Sequence, residues 1–133
     1  MSVTSLLVAV ASNPKPAIID DEHLGRMTLG DRSLEREILA IFARQITLTL
    51  NRIAGAEVEQ MAAAAHTLLG SARGIGAWRV ASAAERLESV ASAAAAKADI
   101  DAALEELKAA GVEAGAAIYA RLSQSLVEVS LSH

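Results

Sequence analysis

The sequence contains no cysteine, only two prolines and few aromatic residues, which make up 2% of its 133 residues. The absence of cysteine excludes disulfide bonds and thiol chemistry, although it does not identify a cellular compartment. Strands favour aromatic and β-branched residues, so the scarcity of these residues argues against a sheet. Hydrophobic residues nevertheless make up 53% of the chain. Alanine, leucine, isoleucine and valine must therefore build the core.

The chain also lacks a long apolar run and an excess of positive charge. No stretch approaches the roughly 18 consecutive apolar residues of a transmembrane helix, in spite of a mean hydropathy of +0.34. The short apolar run near the N-terminus has no basic residues before it, which argues against a signal peptide. The net charge of −4 opposes nucleic-acid binding, which normally uses a basic surface. We therefore expect a cytoplasmic, monomeric protein that binds neither a membrane nor nucleic acid.

Alanine is the best helix former, and apolar residues recur along this chain at the three- and four-residue spacing of amphipathic helices. The spacing predicts four long helices, over about residues 33–54, 57–75, 77–95 and from 99 onwards, after a shorter helix that begins at Asp20. Short loops between long helices favour antiparallel neighbours. The sequence therefore predicts an all-α fold, an antiparallel up-down-up-down four-helix bundle with a short extra N-terminal helix. The pattern leaves open whether the last helix continues past Gly111 and Gly115.

The domain organisation predicted from the sequence is simple. Residues 1–17 are predicted to form a flexible N-terminal arm, because Pro14 and Pro16 oppose helix formation. Residues 18–133 are predicted to form one helical bundle domain of ordinary size. Its alanine-rich helices should approach one another closely, and we therefore expect no internal ligand pocket.

The most informative segment is AHTLLGSARGIGA, from Ala65 to Ala77, which places a single histidine, His66, on a helix. Gly70 follows four residues later and lies beside the imidazole on the same helical face. A glycine inside a helix costs about 1 kcal/mol relative to alanine, so its presence requires a reason. Close approach of another protein to a reactive imidazole is such a reason.

This segment resembles the signature of histidine-containing phosphotransfer (HPt) domains. Seven residues match that signature in register: Ala65, His66, Leu68, Gly70, Ser71, Gly76 and Ala77. The resemblance covers about residues 18–110, since Leu29–Phe42 looks like the family's helix before the histidine helix and Leu87–Glu88 matches a Leu-Glu pair in the helix after it. One position departs from the pattern. The family has a lysine three residues after the histidine, and this chain has Leu69 there.

The resemblance implies a phosphorelay function. His66 would be the phosphoryl acceptor, because a neutral imidazole is a nucleophile near neutral pH. Response-regulator receiver domains and a hybrid sensor kinase would be its partners. The receiver is expected to supply Mg²⁺ and an acidic pocket, so this chain would need no cofactor or metal of its own. It would be a phosphocarrier and not an enzyme, since it has no glycine-rich nucleotide loop.

Four residues besides Gly70 are expected to line the site around His66. Arg73 lies two helical turns after His66 on nearly the same face, and it is the best local substitute for the missing lysine. Arg44 and Gln45 would border the site if their helix packs beside the histidine helix. Leu69 would offer an apolar contact to a receiver if it is exposed, and otherwise belongs to the core.

A helical bundle could also bind a metal or act as an adaptor. A ferritin-type metal bundle is excluded because its paired Glu-x-x-His motifs are missing. A helical adaptor or scaffold with decayed phosphotransfer activity remains an alternative, since the loss of the family lysine is compatible with it. The presence of His66 together with Gly70 and Ser71 favours active phosphotransfer, because an adaptor has no need of these residues.

Overall fold

The computed structural model of the chain describes residues 17–132, and their side chains as far as Gln124. Within this range the backbone forms five helices and no strand. The helices are α1 (Asp21–Thr28), α2 (Arg32–Ile53), α3 (Val58–Ile75), α4 (Trp78–Ser92) and α5 (Lys97–Ser132). The predicted all-α fold is therefore confirmed, and α5 continues through both of its glycines without a break. Residues 1–16 of the predicted N-terminal arm lie outside the described residues.

The first two helices begin at aspartates that cap them. The Asp20 carboxylate accepts a hydrogen bond of 3.1 Å from the backbone N–H of His23. The Asp31 carboxylate accepts one of 3.1 Å from the backbone N–H of Leu34. Such caps satisfy donors that the first helical turn leaves without an internal partner. Both helix starts are thus encoded locally: the first helix begins directly after Asp20, as predicted, and the second begins at Arg32, one residue before the predicted start at about residue 33.

The four long helices form the bundle. Each packs against the next along the chain, and α5 closes the bundle against α2, so that α3 and α5 occupy opposite corners. The largest side chains that are fully buried between the long helices are Phe42, Ile53, Leu68, Leu87, Leu107 and Ile118. Gly111 lets α5 approach α2 closely, because a Cβ there would lie 2.9 Å from Cγ2 of Ile46. The predicted four-helix bundle with an extra N-terminal helix is confirmed.

Two ion pairs join α4 to α5 across their exposed edges. Arg79 donates a hydrogen bond of 3.0 Å to Glu113, and Arg86 is paired with Glu106. The arginines are seven residues apart in one direction and the glutamates seven residues apart in the other, as antiparallel helices require. Exposed pairs contribute only about 0 to 1 kcal/mol each, so they indicate the register of the two helices more than they stabilise it.

Two side-chain contacts hold helix α1 against the turn between α3 and α4. Trp78 Nε1 donates a hydrogen bond of 2.9 Å to the Asp20 carboxylate, and His23 Nε2 lies 3.0 Å from the carbonyl oxygen of Gly74. Gly76 has a φ of +90°, and a Cβ there would lie 3.0 Å from the Asp20 Cβ. Gly76 therefore serves a structural purpose, because both its backbone conformation and its surroundings exclude a larger residue.

We expect Trp78→Phe to destabilise the protein at neutral pH and to do so less in acid. The hydrogen bonds from Trp78 Nε1 and from the His23 backbone hold the pKa of Asp20 below its ordinary value. A carboxyl group whose pKa is lowered on folding stabilises the fold above its ordinary pKa of about 3.9 and loses that contribution as the pH falls through the folded value. Urea unfolding of both proteins at neutral pH and at about pH 3 measures the difference. An equal difference at both pH values would contradict this account.

Candidate functional site

His66 lies near the middle of α3, on the side that faces solvent. The buried face of this helix consists of Met61, Ala65, Leu68, Leu69, Ala72 and Ile75, and His66 follows directly after a member of that face. Its side chain is 72% exposed. No hydrogen bond to Nε2 is found among the described residues, so this nitrogen is open to an incoming group. The expected exposure of His66 is therefore confirmed.

The other ring nitrogen of His66 faces a carboxylate. Nδ1 lies 2.7 Å from Oε2 of Glu88, a half-buried residue of α4. At this distance the negative carboxylate favours the tautomer that carries its proton on Nδ1 and its lone pair on Nε2. A carboxylate beside one histidine nitrogen distinguishes the two ring nitrogens, because only the nitrogen that faces away from it is open to solvent. Glu88 thus borders the candidate site, and the sequence analysis assigned it no role there.

Arg73 is engaged with a neighbouring carboxylate. Its guanidinium donates a hydrogen bond of 3.2 Å to Glu85 of α4, and both side chains are more than half exposed. The expected local cation is therefore held toward α4 by an exposed ion pair, which is weak and screened by salt. Glu85 lies one turn before Glu88 on the same helix, so two carboxylates of α4 border the histidine side of α3.

Leu69 belongs to the core. Its side chain is only 5% exposed, and it is part of the same buried cluster as Leu68. The interpretation of Leu69 as an exposed residue that lines the site and contacts a receiver is therefore wrong. A leucine that is out of contact with solvent cannot add area to a docking surface. The alternative that the sequence left open, a core residue, is correct.

Helix α2 packs beside α3, which meets the condition placed on Arg44 and Gln45. Both residues line a surface depression of about 370 Å³ together with Thr67 of α3. Gln45 also lines a second depression of about 410 Å³, which includes Gly70. We call the two depressions the α2–α3 groove; its lining includes Met27, Ile38, Ile41, Arg44, Gln45, Leu48, Thr67, Gly70 and Gly74. The structure thus brings three of the predicted site residues, Arg44, Gln45 and Gly70, to one groove beside α3.

The α2–α3 groove carries large apolar side chains at its surface. Ile41 is 56% exposed, Leu48 is 60% exposed and Met27 is 48% exposed. Isolated exposed leucines are ordinary, but apolar residues grouped along a groove are typical of protein interaction sites. The sequence analysis assigned none of these three residues to the site, because the sequence alone does not show which side of α2 stays exposed.

Gly70 lies in the α2–α3 groove with open space above it. A Cβ on Gly70 would meet no atom within 4 Å outside its own helix backbone. No contact within the described part of the chain therefore requires a glycine here, although glycine destabilises a helix interior by about 1 kcal/mol relative to alanine. The open surface at Gly70 therefore leaves room for another molecule to approach His66.

The described residues lack two further features, a cluster of metal ligands and a membrane-spanning helix. No three side chains among His, Asp and Glu come together in the way that binding of a metal ion requires. No helix in the described range is both long enough and apolar enough to cross a membrane. At the candidate site, a single exposed imidazole has a carboxylate beside one ring nitrogen, and an apolar groove lies next to it.

Comparisons with known proteins agree with this geometry. A histidine phosphotransferase, ShpA of Caulobacter crescentus, superimposes with a TM-score of 0.57 at 26% identity, covering 83% of this chain and 99% of that one. A rice protein described as a histidine-containing phosphotransfer protein superimposes with a TM-score of 0.65 at 17% identity over 86% of both chains, which supports the fold. No curated protein matches the sequence. The model of the Hpt domain family matches residues 35–124, and the chain therefore belongs to the Hpt domain family.

Proposed function

We propose that this protein is a phosphorelay intermediate that accepts a phosphoryl group on Nε2 of His66 from the aspartyl phosphate of one receiver domain and passes it to another. The observation that carries the proposal is the exposed imidazole, whose Nδ1 lies 2.7 Å from the Glu88 carboxylate while Nε2 is open. Membership of the Hpt family and the likeness to a histidine phosphotransferase support it. A hybrid sensor kinase is the expected origin of the phosphoryl group.

The chemical step of the transfer uses only the His66 imidazole and the Glu88 carboxylate of this chain. The Nε2 lone pair attacks phosphorus, the Nε2–P bond forms, and the bond between phosphorus and the aspartyl oxygen breaks to leave a carboxylate on the receiver. The imidazole gains positive charge as it forms the phosphoimidazolium, and the adjacent Glu88 carboxylate stabilises that charge. No proton has to move, because Nδ1 keeps its proton throughout. The reverse sequence of events delivers the group to the next receiver.

Phosphoryl transfer also requires that the receiver domain dock on this chain beside His66. In-line phosphoryl transfer depends on positioning and on neutralising charge across the phosphoryl oxygens, and the receiver is expected to supply Mg²⁺ for the latter. On this chain the α2–α3 groove supplies the contact area, with Ile41 and Leu48 as exposed apolar contacts. Signalling interfaces of this kind are small and reversible, which suits a carrier that must leave one receiver and bind another.

The experiment that tests the function is transfer from a labelled receiver. Candidate receiver domains are phosphorylated, mixed with the full chain and Mg²⁺, and the loss of label from the receiver and its gain by this protein are followed. Rapid gain of label is the expected result. The same chain incubated with ATP and Mg²⁺ alone should gain no label, since nothing in its sequence resembles a triphosphate-binding loop.

The second candidate function is a helical adaptor with decayed transfer activity. Two observations favour it: Leu69 stands in the place of the family's lysine, and Arg73 is paired with Glu85 instead of free. Binding of receivers without any gain of label would support the adaptor and contradict phosphotransfer.

We expect Glu88→Ala to slow transfer about tenfold, as removal of a histidine's orienting partner commonly does. The neutral ring would then exchange between its two tautomers, and only the one with a free Nε2 lone pair reacts. The transfer rate and the ¹⁵N shifts of the His66 ring measure the two effects. Ser89→Ala, at an exposed neighbour, is the control and should change neither. A slow variant whose tautomer is unchanged would rule out the orienting role.

Arg73→Ala should slow transfer only a few-fold, because a screened, exposed cation contributes about 1 kcal/mol or less. Glu85→Gln should have the opposite effect, since it releases the Arg73 guanidinium from its ion pair. Arg79→Ala, which removes a comparable exposed arginine paired with Glu113 on α5, is the matched control. If Arg73→Ala and Glu85→Gln change the rate in the same direction, Arg73 does not act as the cation of the site.

A further inference from the structure

The two helices that flank α3 present opposite charges near His66. On the α4 side lie two carboxylates, Glu85 and Glu88. On the α2 side, the described residues that line the α2–α3 groove include two arginines, Arg44 and Arg52, and no carboxylate. The net charge of the whole chain is −4. The groove is therefore a locally positive surface on an acidic protein.

Arg44 and Arg52 have no ion-pair partner among the described residues, and both are exposed. Five other arginines are each paired with a carboxylate of their own chain, namely Arg26, Arg73, Arg79, Arg86 and Arg121. A guanidinium presents several donors in a planar fork that matches the two oxygens of a carboxylate. The two arginines of the groove therefore have donors available for carboxylates of another protein.

Leu48 lies between the two arginines along α2. Arg44, Leu48 and Arg52 follow one another at four-residue spacing, which places the arginines about 12 Å apart along the helix. All three residues line the same depression, and Leu48 is 60% exposed. Protein interfaces commonly combine apolar contacts with a polar rim in which charged side chains stay near solvent. This ridge has that arrangement, with an apolar contact between two cations.

A receiver domain has the complementary charge at the point where it must approach His66. The Mg²⁺ that it is expected to supply is usually bound through one or two carboxylates together with phosphate oxygens. If the receiver leaned toward α4, these acidic groups would meet Glu85 and Glu88. If it leaned toward α2, they would meet Arg44 and Arg52. Complementary charges steer two proteins together, and facing like charges disfavour the complex, so the α2 side is the favourable one.

We propose that Arg44 and Arg52 bind an acidic surface of the receiver domain, next to its phosphorylated aspartate, and thereby direct the receiver onto the α2–α3 groove. This assignment rests on the proposed function and adds the charge of the partner and the residues that recognise it. Arg73 is held toward α4 by Glu85, so the arginines of α2 supply the attraction. Because both are exposed, they act mainly on the association rate and its dependence on salt.

Reversal of both charges tests the proposal. The variant is the full chain with Arg44→Glu and Arg52→Glu, and the probe is the receiver domain that transfers label fastest to the wild type. Its association rate, measured by stopped flow at about 50 mM salt, should fall about tenfold or more. The loss should shrink to about twofold at about 500 mM salt, where the screening length is only a few ångströms. The transfer rate at saturating receiver should not change, since the arginines act in docking.

The matched control reverses Arg32 and Arg36 with the changes Arg32→Glu and Arg36→Glu. These exposed arginines belong to the same helix and also have no ion-pair partner in the described range, but they line a depression beside α5. The control changes the net charge equally and should associate at nearly the wild-type rate, and circular dichroism verifies that both variants fold.

Three results would overturn the proposal. These are equal losses in the two variants, which would mean that only net charge matters, a wild-type association rate in the Arg44, Arg52 variant, and a loss that salt does not reduce or that is confined to the saturating transfer rate. Failure of every receiver to transfer label to the wild type would instead refute the proposed function, and this assignment with it.

Discussion

Replacing His66 with glutamine is expected to abolish phosphoryl acceptance completely. Every step of the proposed transfer passes through the Nε2 lone pair, and a glutamine amide offers no comparable nucleophile. The fold should not change, because the His66 side chain is 72% exposed and substitutions at exposed positions usually alter stability by less than about 0.5 kcal/mol. Label transfer from a phosphorylated receiver measures the loss, and circular dichroism with urea unfolding verifies the fold.

His23 provides the comparison for the His66→Gln variant. His23 is half-buried, and its Nε2 lies against the Gly74 carbonyl, so it is a poor nucleophile in the folded chain. His23→Gln should therefore leave acceptance of label intact at a temperature where the variant is folded. Label that survives His66→Gln and disappears with a change at another residue would show that the acceptor lies elsewhere.

The same His66 variant separates docking from chemistry. A receiver that recognises the α2–α3 groove should still bind His66→Gln, because Ile41, Leu48 and the other groove residues are unchanged. Retained binding with lost transfer is the combination expected of a phosphocarrier. Loss of both would mean that His66 itself supplies much of the contact, and the groove would then be a minor part of the interface.

Features fixed by neighbouring residues could be predicted from the sequence. Helix propensity, apolar spacing and capping aspartates act within a few turns of one chain segment, and the first two helices begin within one residue of the predicted positions. The exposure of His66 follows from the same logic, since it lies just outside the apolar stripe of α3. Gly76 could be matched to the family signature, but its actual task depends on α1, which reaches it from more than 50 residues away in sequence.

Features fixed by the register between helices could not be predicted. The partners of His66 and Arg73 are Glu88 and Glu85, and both contacts depend on how far α4 slides along α3. No spacing within one helix contains that information. Leu69 illustrates the same limit, because it lies at the edge of the apolar stripe and only the packing of the whole bundle decides that it is buried. The contacts between α3 and α4 are thus one part of the candidate site that the sequence does not reveal.

Replacing Gly70 with glutamine is expected to reduce transfer on the order of 100-fold while leaving the bundle intact. A Cβ at this position meets no atom within 4 Å outside its own helix backbone, so the substitution causes no clash within the chain. Removing a glycine from a helix should even raise the free energy of unfolding slightly, by up to about 1 kcal/mol. The glutamine side chain would instead fill the space beside His66 through which a receiver approaches, and displacing the reacting atoms by about 1 Å is enough for a loss of this size.

Gly115→Gln is the matched control for Gly70→Gln, because it makes the same change in another helix interior where a Cβ also meets nothing within 4 Å. Gly115 lies on α5, at the corner of the bundle opposite α3. Both variants should gain similar stability from the improved helix propensity, and only Gly70→Gln should lose transfer. The difference between their rates therefore isolates clearance at the site from any effect on folding. If both variants transfer at the wild-type rate, the approach to His66 does not pass over Gly70, and the glycine has no part in admitting the receiver.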